Sequence, residues 1–287
     1  RELLIVAVVN DIEREYARAL AQERLGAGIT DEGELFPLLS VCILGGFELA
    51  CDGRGAMQAQ DFTPGQRQLL AMLVCAPKQQ LRQEQVQLAI WPESDAEKAR
   101  SKFDSALSRL RKTMGEALGD ETVRRSLVLR KGILSLENCR IDAQEFLAAA
   151  KAGRKKARDS QGWQAGLAFE KALALWRRCE IDTYAESEQV VEYCATLAMT
   201  ATEVAERWSG LLNSMGRNAE AIAVLEKALS QDSANEALVK GLFWLYREAK
   251  ETRKAQELLK QFAGHLRKDE YSDAEIAESL AEIREGG

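Results

Sequence analysis

All four prolines of this 287-residue chain, Pro37, Pro64, Pro77 and Pro92, fall in its first third, and none follows position 92. Proline lacks a backbone donor and its ring clashes with the preceding helical turn, so the long proline-free remainder can be helix after helix. Glycine turns and alternation of apolar with polar residues are confined to residues 41–58 and 126–137, which is where strands are expected. The length suits about two domains. Hydrophobic residues at 46% and charged residues at 29% mark a globular chain rather than a disordered or collagen-like one. No purely apolar run exceeds the eight residues 69–76, too short to cross a bilayer, so no membrane partner is expected.

Single residue types narrow the function. Six cysteines (Cys42, Cys51, Cys75, Cys139, Cys179, Cys194) include no CxxC pair, and nothing resembles a signal peptide, which points to a reduced cytoplasm. His265 is the only histidine, so a multi-histidine metal site is excluded and a histidine-based catalytic triad would have to use that one residue. No nucleophile, metal or phosphate-loop constellation is visible. The chain therefore reads as a non-enzyme without a cofactor. It opens at Arg1 rather than methionine, and is expected to be a piece of a longer protein.

Residues 2–26 have a helical pattern, with Ile12, Tyr16 and Leu20 on one face and Gly26 and Gly28 as stops. Residues 1–38 are accordingly expected to be a helical segment, the end of an upstream helical array. Residues 40–49 suit one or two short strands broken at Gly45-Gly46, with a turn at Asp52-Gly53. Thr63-Pro64 is a helix start by cap and first-turn chemistry, and Leu69, Leu70, Leu73 and Val74 give that helix a buried face. A second helix covers about 83–90 and ends at Pro92.

The third helix is the informative one. A capping box at Ser94-Asp95-Ala96-Glu97 opens it, and it should run to about Met114, before Gly115 and Gly119. Ala99, Phe103, Ala106, Leu107, Leu110 and Met114 recur at three- and four-residue spacing as a core stripe. Lys98, Ser101, Lys102, Ser105, Arg109 and Lys112 fall on the opposite side. Two alternating runs, 126–130 and 133–137, then flank Lys131-Gly132 in a hairpin pattern that carries Arg130 and Lys131 and follows Arg124 and Arg125. Three helices and a terminal hairpin make a winged helix. The chain has 39 basic and 45 acidic residues, a net charge of −6, yet residues 98–131 hold ten Lys or Arg against four Asp or Glu. Positive charge is concentrated where the motif is. Basic side chains neutralise phosphates, and Arg or Lys in the major groove can donate to guanine O6 and N7.

The remainder reads as helical repeats. Residues 218–229 recur 34 positions later, aligning Ala221 with Ala255, Leu225 with Leu259 and Ala228 with Phe262. A 34-residue period is the tetratricopeptide (TPR) signature. Phe169-Glu-Lys-Ala-Leu173 matches Leu225-Glu-Lys-Ala-Leu229, and capping boxes are expected at Ser233/Glu236 and Ser272/Glu275. Trp163, Trp176, Trp208 and Trp244 lie among apolar neighbours and are expected in the core.

Val41-Cys-Ile-Leu-Gly-Gly-Phe-Glu-Leu49, Ala89-Ile-Trp-Pro92, Phe103-Asp-Ser-Ala-Leu-Ser-Arg-Leu-Arg-Lys112 and Ile141-Asp-Ala-Gln-Glu-Phe146 together resemble an OmpR/PhoB-type winged helix joined to a bacterial transcriptional activator domain (BTAD), the pairing of SARP-family regulators. A further likeness is to larger MalT-like regulators that carry this pair at their C-terminal part. The resemblance implies a mainly α chain: a winged helix-turn-helix domain with a small β-sheet and wing hairpin at 39–146, then an all-α TPR-like domain at 147–287. It implies double-stranded DNA as partner, with the ten residues Lys98, Ser101, Lys102, Ser105, Arg109, Lys112, Arg124, Arg125, Arg130 and Lys131 as DNA contacts. RNA polymerase, a second copy of the chain and upstream domains are the protein partners it leaves open. The alternative is a TPR-type interaction scaffold whose winged helix does not bind DNA.

Overall fold

The structure, a computed structural model, describes residues 21, 27–29, 35–51, 54–185 and 187–285. The expected helix at 2–26 lies almost wholly outside the described residues. Farther along, Ala27–Ile29 (β1) and Leu35–Pro37 (β2) pair antiparallel, so strand occupies part of the 1–38 segment expected to be helical. The chain divides into two compact units, one made of Arg1–Asp142 with Cys179–Cys194, the other of Ala143–Arg178 with Ala195–Gly287.

In the first unit, Leu39–Cys42 (β3), Glu48–Cys51 (β4) and Gly55–Gln58 (β5) form an antiparallel meander that buries alternate residues, Leu39 and Val41 facing Cys51 and Leu49 across the ladder. Helix Pro64–Cys75 (α1) starts as its residues demand: the Thr63 side chain accepts from the Gln66 N–H while the Gln66 side chain accepts from the Thr63 N–H. Strand Gln80–Arg82 (β6) leads into Gln83–Ile90 (α2), and Ala96–Leu118 (α3) follows. A short helix, Asp120–Ser126 (α4), precedes the hairpin of Leu127–Arg130 (β7) and Ile133–Leu136 (β8). Strand β8 also pairs with β6, and Cys139–Ile141 (β9) returns to lie parallel to β3. The result is a four-stranded sheet, the four helices α1–α4, and a three-stranded sheet ending in a wing. Asp142 closes the unit: its carboxylate accepts from the backbone N–H groups of Ile43 and Leu44 at 3.0–3.1 Å.

Two helix starts differ from expectation for one reason. At α3 the cap is Asp95, whose side chain accepts from the Lys98 N–H, rather than a Ser94/Glu97 box. At the helix beginning with Glu236 the cap is Asn235, not Ser233. In both places an Asx side chain stands next to the first helical residue and reaches the exposed donors first. The Ser272/Glu275 box forms as expected.

The second unit is all helix apart from its turns: Asp142–Arg158 (α5), Gly162–Leu175 (α6), the later part of Glu188–Ser214 (α7), Asn218–Leu229 (α8), Glu236–Glu248 (α9), Thr252–Lys268 (α10) and Asp273–Glu285 (α11). The 34-residue repeat is a repeat of burial. Ala221, Leu225 and Ala228 on α8 and Ala255, Leu259 and Phe262 on α10 all enter one core with Leu238, Val239 and Leu242 of α9. The tryptophans divide. Trp176 is buried with its ring 5.2 Å from that of Phe146, and Trp208 and Trp244 pack against the core half-buried. Trp163, expected inside, is 65% exposed. Helix α6 buries Ala165, Gly166, Phe169 and Ala172, and Trp163 stands about 130° round the helix from that stripe, so apolar neighbours in sequence are not its neighbours in space.

Candidate nucleic-acid interface

Helix α3 is amphipathic in the sense its sequence implies. Phe103, Leu110 and Met114 have no exposed surface and Leu107 has 2%, while Lys98, Ser101, Lys102, Ser105, Arg109 and Lys112 are all exposed. At 100° per residue these six span a face about 100° wide, narrow enough to enter a major groove as one surface. Serines 101 and 105 leave it low between the longer cations. At the start of the helix the Asp95 carboxylate pairs with Lys98 at 2.8 Å, and its hydrogen bonds to that lysine's side chain and backbone hold its pKa below the ordinary aspartate value. Lys102 donates to Ser94 Oγ at 2.8 Å.

One cation of the helix serves the fold instead. Arg111 is half-buried and donates through Nε and Nη2 to the Leu127 carbonyl at 3.3 and 2.9 Å, tying α3 to the base of the wing. Burial lowers its pKa from the ordinary arginine value. Thr113 accepts from Gln66 of α1 and donates to the Arg109 carbonyl, which fixes the helix against its neighbour. Arg111→Ala is expected to cost about 1 to 3 kcal/mol of stability while leaving base preference unchanged. A thermal melt beside a binding titration checks it, and altered base preference at unchanged stability would move Arg111 into the interface.

The wing is built on its turn. Lys131 and Gly132 have φ of 49° and 76°, the two left-handed residues of a type I′ turn, whose twist matches the flanking strands. The Lys131 side chain projects from this tip, exposed. Arg130 pairs with Glu137 at 3.3 Å. Arg124 and Arg125 are not on the hairpin: they occupy the last turn of α4, where Arg125 is half-buried and bonds Glu121 at 2.7 Å, and Arg124 is exposed. The ten expected contacts thus form three groups: six on one helix face, two on the wing, two on α4.

An exposed arginine that sequence reasoning passed over borders the wing. Arg82 lies in register with Ile133 across the β6–β8 ladder. Its strand is three residues long, too short to show alternation; the signal that could have found it is its place immediately before the first residue of α2.

Among the described residues no group of His, Cys, Asp or Glu is placed to hold a metal ion, and no helix is long and apolar enough to cross a membrane. No disulfide joins the six cysteines. No curated protein sequence matches the chain. In fold it is similar to Mycobacterium tuberculosis EmbR, whose structure was solved in complex with a low affinity phosphopeptide: the TM-score is 0.61 at 23% identity, over 86% of this chain and 65% of that one. The chain thus spans just under two thirds of that relative. Residues 141–280, the helical part of the chain, match the family model of the bacterial transcriptional activator domain.

Proposed function

We propose that the chain is a transcriptional regulator of the SARP type, an activator that binds double-stranded DNA through residues 39–146 and makes protein contacts through residues 147–287, with RNA polymerase or a second copy of the chain as the partner. The cytoplasm is its compartment. The observation that carries this reading is the exposed cationic face of α3, opposed to an apolar stripe whose Phe103, Leu107, Leu110 and Met114 are buried, and followed by a wing with a lysine at its tip. The family match over residues 141–280 supports the regulatory role of the helical part.

A second reading, a scaffold whose winged helix is idle, draws on the carboxylate partners that Lys98, Arg125 and Arg130 already have in Asp95, Glu121 and Glu137. Exposed pairs of this kind are worth about 0 to 1 kcal/mol, so phosphates can displace them readily. Selection of duplexes from a random library separates the two. Recovery of a common sequence, bound at least about a thousandfold tighter than scrambled duplex, is the expected outcome. Binding that ignores sequence would favour the scaffold.

A further inference from the structure

Helix α6 carries two apolar faces. One is the core stripe at Ala165, Gly166, Phe169 and Ala172. The other, Trp163 and Leu167 one turn apart, is 65% and 55% exposed and lines a groove of about 890 Å³ within the second unit. Trp208 and Met215 from α7 and the turn after it, and Val224 from α8, complete the apolar wall. Trp208 is seated by Gly166: a Cβ at that glycine would collide with the indole ring, so the ring lies directly on the backbone of α6.

We infer that this groove binds a small amphiphile, an apolar body bearing one carboxylate. Large apolar side chains left open to water in one place mark a binding surface. The volume falls within the range of about 300 to 1,000 Å³ typical of small-molecule sites, and two indole rings with leucine and methionine suit an alkyl or aromatic body. The rim selects the head group. Arg217 and Glu220 satisfy each other. Arg177 is held by its Nη1 donating to the carbonyls of Ala174 and Trp176, and makes no ion pair among the described residues; neither does Lys227. Glu170 is the remaining rim carboxylate, and it acts on Arg217. The rim thus carries three cations against two carboxylates, a net charge of +1, with Arg177 and Lys227 in no ion pair among the described residues. A carboxylate fits a guanidinium in bidentate fashion and places no second charge against Glu170.

The test is titration of the full chain with decanoate below its micelle concentration, followed by tryptophan emission and calorimetry, with decanol as the uncharged control. One-to-one saturable binding with a shift of tryptophan emission is expected. Trp163→Ala and Leu167→Ala, both at exposed positions that leave folding intact, should each weaken it roughly tenfold. Arg177→Gln and Lys227→Gln should weaken decanoate roughly tenfold and leave decanol unchanged. Non-saturable uptake, or equal binding by the Trp163→Ala chain, overturns the inference. So does a dimer in sedimentation that Trp163→Ala dissolves, because the groove would then be filled by a second copy.

Discussion

Replacing Phe103 by alanine is expected to unfold the first unit while leaving the helical unit's own transition in place. The ring is fully buried on the core stripe of α3 beside Leu107 and Leu110, and a truncation there leaves a cavity that backbone cannot collapse into. The cost for such a change is about 3 to 5 kcal/mol. Against a total stability of about 5 to 15 kcal/mol for a whole domain, that removes most of the margin at the low end and about a fifth to a third of it at the high end. Calorimetry of the full chain should show one melting transition shifted strongly down and the other unmoved. A single undivided transition would mean that the two units do not fold independently. Arg109→Ala, six residues farther along and on the exposed face, serves as the control and should alter stability by no more than about 0.5 kcal/mol.

Long amphipathic helices are legible in the sequence because burial repeats at 3.6 residues, and the cationic face of α3 is the complement of its core stripe. What escapes is short or depends on partners distant in sequence. Strands β6 and β9 have three residues each and exist because β8 and β3 offer them ladders. Helix α3 runs past Gly115 to Leu118 because Gly115 is not a stop: it is buried, and a Cβ there would strike Asp120 as α4 packs against the helix. The stop is Gly119, at φ 89°. From sequence the two glycines look alike, and only the neighbouring helix distinguishes them.

The same limit applies to the site. Spacing assigns six residues, Arg109 among them, to one face of α3 and sets Arg111 about 200° round the helix from Arg109, but it cannot say what Arg111 does there. That lies in the Leu127 carbonyl, sixteen residues away, which accepts from Arg111. Likewise Arg124 and Arg125 precede the hairpin in sequence, and only a helix too short to show periodicity moves them off it. Trp163 shows the converse error: composition places it in the core, whereas helical phase puts it on the wall of a groove.

If α3 reads bases while the wing and the end of α4 anchor the backbone, their cations should fail differently when removed. Lys102→Ala and Arg109→Ala remove groups from the centre of the exposed face, and each is expected to cost about 1 to 3 kcal/mol at a selected site and to relax preference at one or two base pairs. Lys131→Ala and Arg124→Ala remove exposed charges that make no ion pair among the described residues, so each should weaken selected and scrambled duplex alike. For every phosphate no longer neutralised, the slope of log affinity against log salt should become shallower by about 0.9. Arg125→Ala and Arg130→Ala should show less of this effect, because their guanidiniums must leave Glu121 and Glu137 to reach a phosphate. Salt titrations of each variant on selected and scrambled duplexes, with a melting curve to confirm folding, measure all of these. Folded Lys102→Ala and Arg109→Ala chains that bind as the unaltered chain does would reduce the face of α3 to a solvated surface, and the scaffold reading would replace the regulator.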